Sequence, residues 1–210
     1  MGWFDFVRSP DGASIETLHL PLFPLNTVLF PGGILPLKIF EQRYLDMAAA
    51  CLKDNKPFGV CLIAEGAETG RAAEPHPVGT LAQIVNWEMP QLGILMISAH
   101  GGRRFRIIEH EAGPDKLLQA NVELLADSGA TPFPLERKRL IPLLRRVVND
   151  LGHERIAEPH RYDEAEWVGY RLTEILPVQN MAKQKLLELD DPLARLEILE
   201  RFLDQRKLLD

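Results

Sequence analysis

Cysteine is scarce in this chain: Cys51 and Cys61 are the only two among 210 residues. Neither has the Cys-x-x-Cys neighbour or the histidine at zinc-finger spacing that a structural zinc site needs. Both are expected to be small buried apolar residues. Long apolar runs are absent as well, because Pro, Gly or a charge interrupts each one within about ten residues, far short of the ~20 that span a bilayer. The opening MGWFDFVRSPDGASIE includes Asp5 and Asp11 and lacks the basic-then-apolar layout of a secretory signal. A cytoplasmic protein with no membrane span is expected, with Trp3, Phe4, Phe6 and Val7 in a frayed terminus.

Basic charge is also short. Twenty-four Lys and Arg against 30 Asp and Glu leave a net charge of −6, which argues against a dedicated nucleic-acid binder relying on phosphate neutralisation. Residues 1–127 hold 10 basic and 15 acidic side chains, whereas residues 128–210 hold 14 and 15. The second part is densely charged but balanced, as solvated faces of amphipathic helices are. No Gly-x-x-x-x-Gly-Lys-Ser/Thr segment occurs, so ATP hydrolysis is not expected.

Other chemical signals are weak. His153-Glu154 and His160 suggest a zincin fragment, but the histidines are seven residues apart rather than four. On one helix they would lie about 10 Å apart along the axis, too far to share a zinc ion. They read as solvated loop histidines. His76, between Pro75 and Pro77, lacks a local cysteine partner, and Asp190-Asp191 reads as a helix cap. Arg103, Arg104 and Arg106 could form a basic stripe, yet on a strand Arg104 and Arg106 face one way and Arg103 the other. Glu109, Glu111 and Asp115 weaken that field further. No metal, cofactor or catalytic residue is expected.

What is present is a β-rich first part and a helical second part. Short apolar pieces punctuated by Pro21, Pro24, Pro31 and Pro36 suit the edges, strand starts and bulges of a small barrel. Glu41 to Lys53 reads as a helix with Tyr44, Leu45, Ala48 and Leu52 on one stripe. Phe58 to Ile63 reads as a strand and Gly66 to Pro77 as a loop. Val78 to Trp87, Leu92 to Ala99, Arg103 to Ile108 and Leu117 to Leu125 are four further strand candidates. The Gly101-Gly102 pair supplies the positive φ values of a hairpin turn between the second and third of them. Ser128, Gly129, Pro132 and Pro134 mark a linker. Beyond it Leu140, Leu143, Leu144, Val147, Val148 and Leu151 follow helical spacing, with Pro142 in the first turn or at a bend. Asp163 and Glu166 suggest a capping box for a helix over Glu164 to Leu176, closed by Pro177. Asn180 to Leu189 forms another short helix. Asp191-Pro192 starts a last one through Leu193, Leu196, Leu199 and Leu203.

Several of these stretches together resemble one family. Leu20 to Leu25 (LPLFPL), Val28 to Gly32 (VLFPG), Leu35 to Leu37, Ile39 to Glu41 and Arg43-Tyr44 are similar to the opening of the Lon substrate-binding domain. That is the N-terminal part of Lon-type ATP-dependent proteases, also found as a stand-alone protein and in the cereblon family. Val78 to Ala82 and Gly102 to Ile107 are similar to its β half. Tyr170 to Leu172, Ile175 to Pro177, Lys183 to Glu188 and Asp191 to Leu196 are similar to its helical half. The resemblance covers roughly residues 18 to 203 and implies an α+β fold: a PUA-like β-barrel subdomain with one helix over residues 1–127, then a helical bundle subdomain over residues 128–210. A full Lon protease continues into ATPase and Ser-Lys protease modules, and from the 210 residues of this sequence neither module is expected.

The resemblance implies a non-enzymatic binding module for unfolded or extended polypeptide, with a protease system among the implied partners. An apolar groove or an exposed strand edge would accept the peptide. The candidate contacts are Phe23, Phe30, Trp87 and Met89: the first two lie among prolines at strand ends, the others in or beside the Asn86 to Gln91 connection. An RNA-binding PUA-like protein and a small-molecule enzyme are the alternatives.

Overall fold

Period-two apolar patterning up to Leu124 folds as strands, and 3.6-residue periodicity from Leu140 onward folds as helices. The computed structural model describes residues 5–8, 14–70, 72–126, 129–152 and 155–209. Trp3, Phe4, the side chains of Phe6 and Val7, Asp127-Ser128 and His153-Glu154 lie outside the described residues. The strands are β1 (Asp5–Arg8), β2 (Ser14–Leu25), β3 (Ile34–Ile39), β4 (Phe58–Glu65), β5 (Glu74–Pro75), β6 (Val78–Gln91), β7 (Ile94–Ala112) and β8 (Leu118–Leu124). The helices are α1 (Gln42–Asp54), α2 (Leu140–Leu151), α3 (Ala165–Ile175), α4 (Asn180–Glu188) and α5 (Pro192–Gln205). None of these helices is long and apolar enough to cross a membrane.

The strands form one mixed sheet in the order β1-β2-β8-β7-β6-β4-β5, with β3 attached to β7. The β2–β4 pair is parallel and the others are antiparallel. Because β4 pairs with both β6 and β2, the ladder returns to β2. The prolines fit this use of the strand. Pro21 faces Gln119 of β8, but its other side falls between the end of β1 and the start of β4. Pro24 faces Cys61 of β4, beyond the reach of β8. Among the described residues each therefore has one side without a neighbouring strand, where a missing N–H breaks no ladder. At the terminus, the backbone of Asp5–Arg8 pairs with Ser14–Thr17 instead of fraying.

The expected hairpin at Gly101-Gly102 is overturned. β7 runs unbroken from Ile94 to Ala112 through both glycines, and the turn lies at Leu92-Gly93, where Gly93 has φ of +82°. The physical reason is a close backbone approach rather than a turn. Gly32 N–H donates to the Gly101 carbonyl at 2.7 Å, and Gly101 N–H donates to the Gly33 carbonyl at 2.8 Å. A Cβ at Gly101 would sit 2.2 Å from the Phe30 carbonyl oxygen, whereas one at Gly102 would meet nothing nearer than Leu81 at 3.5 Å. Gly101→Ala is therefore expected to lower stability by about 1–3 kcal/mol through overpacking. Gly102→Ala should change it by less than about 1 kcal/mol. Urea unfolding of the two variants checks this contrast, and equal losses would contradict it.

α1 buries Tyr44, Met47, Ala48 and Cys51 against Phe23, Leu25, Ile39, Phe58 and Ile97. The second apolar cluster joins Leu140, Leu144 and Val148 of α2 to Val168 and Leu172 of α3 and to Leu196, Leu199 and Leu203 of α5. Pro142 falls in the first turn of α2, where its missing N–H costs no helical bond. The Asp163–Glu166 capping box does not form: Glu164 is the N-cap residue and no side chain caps the helix. Backbone takes over that role, since Ala165 N–H donates to the Thr131 carbonyl at 2.9 Å while Phe133 N–H donates to the Asp163 carbonyl at 2.7 Å. At α5 the expected cap is present, with Asp191 Oδ1 accepting from Leu193 N at 2.8 Å and Ala194 N at 3.3 Å.

Three buried polar side chains tie the helices to the sheet, and a fourth, Arg195, ties α5 to α3 and α4. Arg171 donates to the carbonyls of Pro31 and Gly32. Gln184 Nε2 donates to the Val78 carbonyl at 2.9 Å, and Arg104 Nη1 reaches the Leu187 carbonyl at 2.8 Å. Arg195 Nε donates to the Leu186 carbonyl at 3.0 Å, and its guanidinium lies 4.2 Å from the centre of the Tyr170 ring. An apolar patch of Val28, Phe30, Leu62, Val78, Tyr170 and Leu187 fills the space between them.

Candidate functional site

Strand β6 changes character halfway along. From Val78 to Ile84 it is largely buried, and from Val85 to Gln91 every residue is exposed. The cause is the reach of its neighbours. β4 lines β6 only at Thr80–Ala82, so beyond Ile84 the strand has β7 on one edge and, among the described residues, no strand on the other. Val85, Trp87 and Met89 recur at every second position there and are 58%, 55% and 52% exposed.

Register explains what they offer. Trp87 pairs with Ile97, which pairs with Leu37, so one apolar row runs from the core out to the open edge. The next row, Glu88, Met96 and Lys38, faces the opposite way and is more polar. The connecting Leu92 is 96% exposed. The hairpin thus carries an apolar face and an unpaired backbone edge together, which is what an added extended strand needs.

The four residues singled out from the sequence are not gathered in one place. Trp87 and Met89 stand on the open segment of β6. Phe23 is 6% exposed, with its ring stacked 4.0 Å from that of Tyr44. It contributes to a separate cleft of about 220 Å³ beside Leu37, Phe40 and Tyr44. Phe30 is fully buried, 5.6 Å from the Tyr170 ring. Val85 and Leu92 were missed, although the spacing of Val85, Trp87 and Met89 was visible in the sequence.

Clefts of similar size occur elsewhere. One of about 340 Å³ lies between sheet and helices, lined among others by His100, Arg103, Arg161, Glu164, Trp167 and Tyr170. Burial and the nearby Arg171 charge lower the His100 pKa, and Arg161 pairs with Glu164 at 3.3 Å. A second, of about 380 Å³, has Met47, Cys51 and Leu117 in its lining. Burial pushes the Cys51 thiol up to about 11 and the Cys61 thiol higher still, so both keep their protons at neutral pH. Among the described residues no group of three or more His, Cys, Asp or Glu is placed to hold a metal ion.

The other charged candidates are engaged in the fold. Arg104 is buried and donates to Asp190 at 2.8 Å, while Arg106 is exposed and Arg103 pairs with Glu16 at 2.5 Å. The three arginines do not make one basic stripe. His160 is half-buried rather than solvated, with its ring 5.8 Å from Trp167 and 5.9 Å from Tyr162. Arg137 and Arg139 pair with Glu200, and Arg139 also with Asp204, which joins the start of α2 to α5.

One titrating cluster sits where α3 meets the turn before β3. Burial pushes Glu174 up to about 7, against the pull of Arg171 and Lys183, from an ordinary value of 4.5. The folded state then holds more protons than the unfolded state between those values. This group's contribution to stability accordingly falls as pH rises from about 4.5 to about 7 and is flat above. Glu174→Gln should remove that slope, of order 2 kcal/mol. Urea midpoints at pH 5 and pH 8 test it, and an unchanged difference between them would refute the assignment.

Residues 19–205 match the family described as the ATP-dependent protease La (LON) substrate-binding domain. The chain is similar to a Lon protease of Cytophaga hutchinsonii, 26% identical over 89% of this chain and 24% of that protein. It is also similar to protein cereblon of Danio rerio, 26% identical over 68% of this chain and 33% of that protein. The chain thus spans a quarter to a third of these relatives. The crystal structure of a Lon N-terminal domain protein from Xanthomonas campestris superposes with a TM-score of 0.72 and 34% identity, covering 87% of this chain and 97% of that one. The N-terminal domain of a Mycobacterium avium complex Lon protease shares the fold, with a TM-score of 0.63 at 21% identity over 89% of this chain and 96% of that one.

Proposed function

Because the chain belongs to the Lon substrate-binding domain family, we propose that it is a non-catalytic module that holds unfolded or extended polypeptide on the open half of β6. The observation that carries this reading is the coincidence of an unpaired edge with Val85, Trp87 and Met89 exposed beside it. Main-chain hydrogen bonds along the edge supply affinity, and the apolar row selects residues at alternate positions of the bound strand. Phe23 and Phe30 hold the scaffold that presents this edge.

In this reading the ladder that returns to β2 is a PUA-like β-barrel over residues 1–127, and α2 to α5 form a helical bundle over residues 128–210. The bundle fixes the barrel through Arg104, Arg171 and Gln184. The module works in the cytoplasm and delivers polypeptide to a partner such as a protease system, without ATP hydrolysis or peptide cleavage of its own.

Fluorescence anisotropy with a labelled, permanently unfolded polypeptide tests the reading. Trp87→Ala should weaken binding by about 1–3 kcal/mol, as for an interface anchor. Its thermal midpoint should stay near that of wild type, since the side chain is half-exposed. Wild-type protein that binds no unfolded polypeptide at high micromolar concentration would sink the proposal.

A further inference from the structure

We propose that the open edge of β6 also pairs with the same edge of a second copy of this chain, antiparallel about a two-fold axis through Trp87. An unpaired edge lined with apolar side chains is a template for another strand, and an isologous contact closes as a dimer. The register follows from the sequence of the edge. Residues directly opposite each other share a face of the sheet, so a two-fold axis must pass through a residue rather than between two.

Three positions for the axis fall within the regular stretch Asn86–Glu88, which irregularities in the pairing with β7 bracket on both sides. An axis at Glu88 sets two carboxylates against each other. An axis at Asn86 sets each Glu88 against the partner's Ile84. Only an axis at Trp87 matches chemistry throughout: Val85 faces the partner's Met89, Asn86 faces the partner's Glu88, and the two Trp87 side chains meet. Each carboxylate then lies beside an amide, and the three exposed apolar side chains of each copy cover those of the other.

The contact spans only Val85 to Met89, so the dimer is weak and concentration-dependent. It hides the same edge that the proposed polypeptide would use. Self-pairing therefore competes with polypeptide, and the abundance of the protein sets how much of the edge is free.

Sedimentation velocity on the full chain over a range of concentrations tests the register. Asn86→Lys places a cation opposite the partner's Glu88 twice per dimer and should tighten association about threefold to tenfold. Asn86→Glu should weaken it by a similar factor. Gln91→Lys adds the same charge opposite the partner's Gln83 and should leave association within about twofold of wild type. Wild-type and Asn86→Lys proteins that stay monomeric would overturn the proposal, as would a dimer indifferent to both changes at Asn86. Polypeptide binding measured on wild-type protein diluted until it sediments as a monomer reports on the functional reading separately, so failure of one does not imply failure of the other.

Discussion

Arg171→Ala is expected to destabilise the protein by about 3–5 kcal/mol, the range for removing one partner of a buried ion pair. The Arg171 side chain is fully buried, bonded to the carbonyls of Pro31 and Gly32 and paired with Glu174 at 3.1 Å. Truncation leaves two carbonyls without that donor and a carboxylate without its nearest cation. Equilibrium urea unfolding at pH 8 measures the loss. Adding Glu174→Gln to Arg171→Ala should recover part of it, because the double variant no longer buries an unpaired carboxylate. A loss below about 1 kcal/mol would show that the contact between α3 and the turn before β3 is not a main support of the fold.

Phe30→Ala should cost a similar amount, about 3–5 kcal/mol, through lost burial and the cavity left behind. The ring lies among Val28, Leu62, Val78, Tyr170 and Leu187, where both sheet and helices close on it. Trp87→Ala should cost less than about 1 kcal/mol. Thermal and urea melts of the two variants side by side give the contrast. If Trp87→Ala proved as destabilising as Phe30→Ala, the open half of β6 would be part of the core and the proposed edge would not exist.

These two residues also show how far the sequence could be read. The helices, including the start of α5, follow from local signals that the fold leaves intact: apolar spacing, Asp191 as cap and Pro192 after it. Phe30 and Trp87 looked alike in the sequence, each an aromatic residue at the end of an apolar run. Their different burial is decided at long range, by Tyr170 and Leu187 closing over Phe30 and by β4 not extending as far as Trp87. The Gly101-Gly102 pair was ambiguous for the same reason. Glycine serves both a turn and a close backbone approach, and the Phe30 carbonyl that selects the second use is remote in sequence. The Asp163–Glu166 pattern failed because Thr131 and Phe133 supply backbone bonds that no local spacing reveals. The family resemblance was carried partly by Arg104, Arg171, Gln184 and Arg195. The structure gives the first three the task of joining helices to sheet and Arg195 that of joining α5 to α3 and α4, and leaves the candidate binding edge on β6 outside the motifs.

Amide hydrogen exchange across the whole chain, with and without a saturating unfolded polypeptide, decides whether the open half of β6 is the binding edge. With the wild-type chain dilute enough to be monomeric, polypeptide should slow exchange within Val85–Gln91 and leave the amides of α2 to α5 unchanged. Protection confined to the helices or to the cleft around Tyr44, with none in Val85–Gln91, would contradict it.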